Sequence, residues 1–438
     1  MGQNTADPVL RIGLLGLGTV GSGVAEILQH NAQMIAERCG SRLQVVRALV
    51  RSGRRRRGAA ARVATCTDPR QILEAEDIDV VVELMGGQTP ARRYMQRALR
   101  AKKPVVTANK AVLALHGSEL FALAQRCCVD IYFEGSVAGG IPIIRTLREA
   151  LGADRTVAVR GLLNGTTQYM LGQLEAGETY ADALAAAQRL GFAERDPRLD
   201  VSGRDAADKL CILGRLAFNS PLSPKLLSFS GIEALTPQHL AQAHCHGYRV
   251  RLLAQAHRRT VAGAAALDAW VHPALLGPQH PLYAVPAAHN AVAVRSLAHG
   301  DTQYQGAGAG SLPTGAAVVA DLMDVARNLR AGVWGRLPFG NGRRALPPLP
   351  AHSCASAFFV SLQVQQRPGV LAHVANVFAE AGISLATVTQ NVCATSLVPL
   401  TLTTHPTTFG AMQRALLQLR RAPVRRGTAQ ALPIAADS

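Results

Sequence analysis

Five carboxylates and a lysine crowd one stretch of this 438-residue chain: Glu194, Asp196, Asp200, Asp205, Asp208 and Lys209. The whole sequence holds only 29 acidic residues, so the stretch is a concentration of them. Acid-rich surroundings suit a ligand with a positive amino group, and a lysine withdrawn from water among them can deliver a proton to an oxyanion. Lysine is itself scarce: of 46 basic residues, only Lys102, Lys103, Lys110, Lys209 and Lys225 are not arginine. Arginine stays protonated, whereas lysine gives up its proton readily when desolvated, so a lysine kept in such a chain is a candidate for chemistry. The same spacing has a plainer reading. Ser202 can cap a helix with Asp205 at its third position, and Asp205 and Lys209 then form an exposed i,i+4 ion pair. Lys110 is the second candidate. It closes Pro104-Val-Val-Thr-Ala-Asn-Lys110, a short strand with its polar residues at the carboxyl end, the end that faces the ligand crevice in open α/β sheets.

Apolar runs alternating with helical periods surround the two lysines. Val9-Leu-Arg-Ile-Gly-Leu-Leu feeds Gly16-Leu-Gly18-Thr19-Val20-Gly21, and helical periodicity follows through Val24, Ile27 and Leu28. Strand, Gly-x-Gly-x-x-Gly, helix is the context of dinucleotide binding: Gly16 for the tight turn, Gly18 for approach of a pyrophosphate, Gly21 for packing of helix on strand. Thr19 and Val20 belong to the same helix N-terminus, which supplies N–H groups to the phosphates. The second strand, 43–50, ends in Val50-Arg51-Ser52 with Arg54 to Arg57 beyond. An NAD site would carry an acid there, so Arg51 points to the extra phosphate of NADP, with NAD as the alternative cofactor and a solvated loop as the plainer reading. Further strands are expected at 79–83, 104–110 and 129–134. Glu134 then opens a glycine-rich loop whose free carbonyls, with the one carboxylate, suit a hard cation; an ordinary loop is the alternative. Gly161-Leu-Leu-Asn164-Gly165-Thr166-Thr167 turns from strand to helix and offers N–H groups and hydroxyls to a small polar ligand. A second glycine turn, Gly306-Ala-Gly308-Ala-Gly310, precedes Pro313-Thr314 and a helix over 316–329, whose start can return to the cofactor.

The net charge of +17 raises nucleic acid as a partner, but the arginine runs at Arg51–Arg57 and Arg420–Arg426 lack interleaved aromatics and any nucleic-acid motif. The charge is read as solvated surface, and no nucleic-acid partner is expected. No apolar run of about 18 residues marks a membrane span, and Met1 to Pro8 lacks the order of a signal peptide. The eight cysteines are scattered, without a Cys-x-x-Cys pair, which fits a reduced, cytoplasmic protein.

From Ala187 to Lys209 the chain resembles the homoserine dehydrogenase family. The pattern Ala-x3-Gly-aromatic-small-x2-Asp-Pro-x2-Asp-aliphatic-x-Gly-x-Asp-x3-Lys is matched throughout. The glycine fingerprint, Thr107-Ala-Asn-Lys110, Ser136-Val-Ala-Gly-Gly-Ile-Pro, Asn164-Gly-Thr-Thr and Gly308-Ala-Gly fall in the family's order, and the resemblance spans roughly residues 9–335. Gly135 stands where Ala is usual and Gln168 where Asn is usual. The resemblance implies reversible, NAD(P)H-dependent reduction of L-aspartate 4-semialdehyde to L-homoserine, a step toward threonine, methionine and isoleucine. It implies Lys209 as proton donor, Lys110 between nicotinamide and substrate, and Glu194, Asp205, Asp200, Asn164, Gly165 and Thr166 as substrate-binding. It adds Gly191, Gly308 and Gly310 to the cofactor site. It implies a monovalent cation, usually sodium, held by Glu134 and the carbonyls of Val137, Gly139 and Ile141.

After a Pro/Gly-rich stretch from Leu337 to Pro350, a strand at Phe358, a turn at Gln366-Arg-Pro-Gly and a helix to Ala381 resemble an ACT domain, a βαββαβ module that binds amino acids. Gln366 stands where many such domains carry Asp or Asn, and Val424 to Ser438 reads as a poor last strand. The expected architecture is α/β throughout. A Rossmann-type dinucleotide-binding domain occupies 1–155. An α+β catalytic and dimerisation domain follows over 156–335, its last helix packing back on the first domain. A linker over 336–355 leads to an ACT-like domain over 356–438. A homodimer or homotetramer is expected, with threonine as a weak effector. Two other functions compete with this reading. An aldehyde-oxidising enzyme needs an activated cysteine, and none of the eight has such a context. A catalytically dead sensor is at odds with the presence of Lys110, Glu194, Asp205 and Lys209.

Overall fold

The structure, a computed structural model, describes residues 8–51, 58–335, 345–390, 397–421 and 425–436. The chain divides into two compact units. The first comprises Met1–Arg155, Cys211–Ser223 and Tyr304–Ala345. Its strands are β1 (Val9–Leu15), β2 (Arg42–Leu49), β3 (Thr65–Cys66), β4 (Val80–Glu83), β5 (Val105–Thr107) and β6 (Ile131–Tyr132). They lie in the order β3-β2-β1-β4-β5-β6, every pair parallel. The order reverses between β1 and β4, and that switch point is where open α/β sheets bind dinucleotides. Burial on both faces explains the unbroken apolar runs: all four residues of β4 are buried. Val24 and Leu28 from the helix Thr19–His30 pack with Val318, Leu322 and Val325 from the helix Ser311–Arg330 on one side of the sheet.

Three expectations need correction here. β3 is an additional strand, too short to read from periodicity. The strand expected over 129–134 shrinks to β6, because the N–H of Glu134 goes to Asp321 Oδ2 (2.8 Å) rather than to a ladder; Glu134 sits in a 3₁₀ turn, Glu134–Ser136. The late helix begins at Ser311 and contains Pro313, which is tolerated in a first turn because no intrahelical partner is lost there.

The second unit comprises Thr156–Leu210, Pro224–Gln303 and Leu346–Ser438. Its strands are β7 (Thr156–Leu162), β8 (Ser228–Phe229), β9 (Arg249–Val261), β10 (Ala264–Leu276), β11 (His289–Ser296), β12 (Gly300–Ala307), β13 (Ala355–Gln365), β14 (Leu385–Gln390), β15 (Leu397–Thr404), β16 (Thr407–Thr408) and β17 (Arg425–Ile434). The main path is β12-β11-β7-β9-β10-β17-β13-β15-β14. β9 and β10 form a long hairpin through Ala262 and Gly263, both at positive φ, as a two-residue turn matching strand twist requires. From β13 onward the order is strand, helix (Val370–Glu380), strand, strand, helix (Phe409–Arg421), strand, with the two-residue β16 inserted just before the second helix and paired with the start of β13. Both helices contribute to one core, with Val374, Phe378, Met412 and Leu419 against Phe358, Val360 and Leu400. The last segment is a strand after all: β17 pairs antiparallel with β13 from Ala357↔Ile434 to Val364↔Arg425. A central partner overrides weak intrinsic propensity.

Candidate active site

In the first unit the three fingerprint glycines do three different things. Gly16 holds φ at +108°, and a Cβ there would lie 2.9 Å from the Leu84 carbonyl oxygen. A Cβ on Gly21 would lie 2.6 Å from the Gly16 oxygen. A Cβ on Gly18 would meet nothing within 4 Å: this one is open space at a helix start. The helix Thr19–His30 has no side-chain cap and no acid in its first turn, so its N–H groups and partial positive charge are available to an anion. Ser311 Oγ donates to Thr19 O (2.8 Å), which brings the second glycine turn, with Gly308 and with Gly310 at φ +131°, beside the fingerprint. Arg51 is exposed just past β2. Ser52 and Arg54 to Arg57 lie outside the described residues.

Lys110 is the first residue of the helix Lys110–Cys127 and is half-buried. Asn109 caps that helix, accepting from Val112 N (3.2 Å) and donating through Nδ2 to Gly87 O (2.8 Å). Behind it stands Glu83, fully buried, which accepts from Met85 N (2.9 Å) and Thr107 Oγ1 (2.8 Å). Burial pushes the Glu83 carboxyl up, against the pull of these hydrogen bonds. Glu83 and Thr107 were missed as supports. The signal was an acid ending an apolar strand, in register with Thr107 on the next.

Glu134 is buried, and its two carboxylate oxygens accept from Ile144 N and Arg145 N (2.9 Å each). Its carboxyl is pushed up by burial, and that of Asp321, whose Oδ2 accepts from Glu134 N, is pushed well up by burial and by the charge of Glu134. Val137, Gly139 and Ile141 follow in the same loop, all buried; Ile141 O accepts from Ile143 N (2.8 Å).

In the second unit, Asn164 lies two residues past the end of β7 and caps the helix Gly165–Glu175 by accepting from Thr167 N (2.9 Å). Its Nδ2 donates to Asp200 Oδ1 (2.8 Å) and to Asp205 Oδ2 (2.9 Å). Lys209 Nζ donates to the same Asp205 Oδ2 (2.7 Å) and to Leu163 O (2.6 Å). Asp205 and Lys209 are only 5% and 7% exposed, so the exposed ion pair of the plainer reading is excluded. Ser202 stands as the C-cap of the short preceding helix Arg198–Val201, one residue before the position that adjoins the next helix. The helix Arg204–Phe218 starts after Gly203, whose φ is +80°. Asp208 pairs with Arg204 (2.8 Å). Thr166 Oγ1 donates to Phe192 O (2.6 Å), tying the helix start to the loop that carries Gly191 and Glu194, both exposed.

Comparison with known proteins decides the family. A family model for homoserine dehydrogenase matches residues 142–323, and one for the homoserine dehydrogenase NAD binding domain matches residues 16–134. A homoserine dehydrogenase of Pseudomonas aeruginosa is 40% identical over 403 residues, 90% of this chain and 92% of the relative. The chain belongs to the homoserine dehydrogenase family. The crystal structure of a homoserine dehydrogenase from Thiobacillus denitrificans superposes with a TM-score of 0.92 at 38% identity, covering 98% of this chain and 99% of that one. A hyperthermophilic archaeal homoserine dehydrogenase in complex with NADPH matches with a TM-score of 0.60 at 26% identity, over 74% of this chain and 98% of the other. As a homoserine dehydrogenase the protein is an NAD(P)-dependent oxidoreductase, and the fingerprint and the acid–lysine cluster fall within the two matched regions. Among the described cysteines, burial pushes the Cys66 thiol up and that of Cys354 to about 12, which disfavours the thiolate at both.

Proposed function

We propose that Lys209 is the proton donor in the reduction of L-aspartate 4-semialdehyde and the acceptor in the oxidation of L-homoserine. The carrying observation is a buried ammonium fixed at two points, Asp205 Oδ2 and Leu163 O. So held, it can stabilise the alkoxide that develops when hydride reaches the aldehyde carbon. Asp200, Asp205 and the exposed Glu194 offer negative charge to the substrate's ammonium. The first-turn N–H groups of Gly165 and Thr166, which have no intrahelical acceptor, suit its carboxylate. Lys110 would add positive charge toward the reacting oxygen. The nicotinamide cofactor, when bound, supplies or accepts the hydride. Gly16, Gly18, Thr19, Val20 and Gly21, with Gly191, Gly308 and Gly310, would hold it, and the open space at Gly18 beside an uncapped helix start fits a pyrophosphate. Arg51 and the missing acid after β2 favour NADP.

The loop after Glu134 fits a monovalent cation. Its donors are hard oxygens, the Glu134 carboxylate and the carbonyls of Val137, Gly139 and Ile141, and a cation would offset the cost of burying Glu134 beside Asp321. The βαββαβ order after residue 355 supports an ACT-like module with threonine as a weak effector. The proposed assembly is a homodimer or homotetramer. The central test is homoserine-dependent reduction of NADP by Lys209→Arg. A kcat lower by roughly 10²–10⁴ with an intact fold is expected, and near-normal kcat refutes the assignment.

A further inference from the structure

Asn164 lies among substrate-binding residues, yet its side chain is already committed. It is 3% exposed. Its oxygen caps the helix at Thr167 N, and its Nδ2 reaches two carboxylates, Asp200 at 2.8 Å and Asp205 at 2.9 Å. An amide nitrogen carries two hydrogens, so both donors are spent within the chain. The orientation is fixed too: a flipped amide would set its oxygen against two carboxylates and its nitrogen against an N–H. We propose that Asn164 is a positioning residue, which holds Asp200 and Asp205 and, through Asp205, aims Lys209. The proposal rests on Lys209 being the proton donor.

The chain of contacts is continuous. Asp200, Asn164, Asp205, Lys209 and Leu163 O are joined in that order at 2.6–2.9 Å. Asp205 Oδ2 takes donors from both Asn164 and Lys209. Removing the amide leaves the Asp205 carboxylate with less of its charge satisfied, and it then draws harder on the Lys209 proton. The lysine also loses one side of its mount. A displacement of about 1 Å at a reacting group costs on the order of 10²-fold in rate.

Two variants isolate this role from capping. Ser and Asp are both good N-cap residues, so Asn164→Ser and Asn164→Asp each keep an acceptor for Thr167 N. Ser replaces the two amide donors with a single hydroxyl on a shorter side chain; Asp removes both and adds a third carboxylate to the pair. The expected result is a kcat lowered about 10–100-fold in Asn164→Ser and further in Asn164→Asp. The limb of the kcat–pH profile governed by Lys209 should move to higher pH, with the KM for the cofactor unchanged. Melting curves confirm folding, and Lys209→Met is assayed alongside. If Asn164→Ser raises only the KM for homoserine, with kcat and its pH profile unmoved, Asn164 is a substrate contact and the proposal is overturned. If both variants melt early while kcat per folded molecule is normal, Asn164 is only a cap, and the proposal is again overturned. A normal kcat in Lys209→Met overturns the lysine assignment and this inference together, whereas an inactive Lys209→Met beside a normal Asn164→Ser overturns this inference alone.

Discussion

Gly18 and Gly21 stand three residues apart in one turn, and the same methyl group added to each should have opposite consequences. At Gly21 the new Cβ would be 2.6 Å from the Gly16 carbonyl oxygen. That oxygen cannot retreat easily, since Gly16 is itself packed against the Leu84 carbonyl and held at φ +108°. Overpacking of this kind costs about 1–3 kcal/mol. Gly21 lies inside the helix Thr19–His30, where Ala is favoured over Gly by about 1 kcal/mol, so the net loss is up to about 2 kcal/mol. For a unit of this size that is a fall in Tm of up to about 8 °C. At Gly18 the methyl meets nothing, so the cofactor-free protein should melt within about 1 °C of the parent. The methyl instead occupies the space a pyrophosphate needs. Losing one hydrogen bond to a charged group, about 1.5–3 kcal/mol, raises the Kd for the dinucleotide roughly 10–100-fold. The assay is calorimetric melting without cofactor, paired with titration of NADP by tryptophan fluorescence or calorimetry. A Gly18→Ala protein that melts early but binds normally, or a Gly21→Ala protein that melts later than the parent, refutes the division of roles.

Three more outcomes follow from the same geometry. Arg51→Ala should raise the KM for NADP more than that for NAD, because only NADP carries the extra phosphate; equal shifts in steady-state kinetics would return Arg51 to the solvated surface. The carboxyl of Glu134 is raised above its ordinary 4.5 by burial, so the fold favours its neutral form. Its contribution to stability is therefore present below about pH 4.5 and lost as pH rises through the raised value. Sodium chloride should accordingly raise Tm more at pH 8 than at pH 5, relative to tetramethylammonium chloride. Glu134→Gln should remove that difference, and an equal effect of both salts at both pH values sinks the cation assignment. Gln366, exposed in the turn after β13, is neutral and longer than the Asp or Asn usual at that place, so threonine should inhibit weakly or not at all and Gln366→Asp should strengthen it. Half-inhibition of the parent at low micromolar threonine would contradict this.

What the sequence made legible was local. β1, the glycine turn and the following helix are set by neighbours within a few residues, and Asp205 and Lys209 by an i,i+4 spacing that survives in any helix. What escaped depends on partners distant along the chain. β17 is a strand because β13 lies beside it, and the glycine, proline and arginines of its own sequence gave no such sign. Glu134 leaves the sheet because Asp321, on a helix far along the sequence, takes its N–H. Ser311 was unremarkable until its hydroxyl reached Thr19 O. The burial of Lys209 was likewise beyond spacing: periodicity places a residue on a face, but not what covers that face.

Both candidate lysines are held by the same device, and its chemistry explains the choice of residue. Asn109 precedes the helix that begins with Lys110, and Asn164 precedes the helix whose start adjoins Lys209's anchor, Leu163 O. Each accepts from the third N–H of its helix, which Ser, Thr or Asp would do as well for about 1 kcal/mol. Capping alone therefore does not require Asn. Each also donates, Asn109 to Gly87 O at the ligand edge of the sheet and Asn164 to two carboxylates. Asp has no hydrogen to give, and a hydroxyl has only one. Asn alone among the good caps carries an acceptor and two donors in one plane. A strand-to-helix corner capped by Asn can thus fix a helix start and a neighbouring functional group at once, and in this chain both lysines that survive beside such corners are the ones assigned to the reaction.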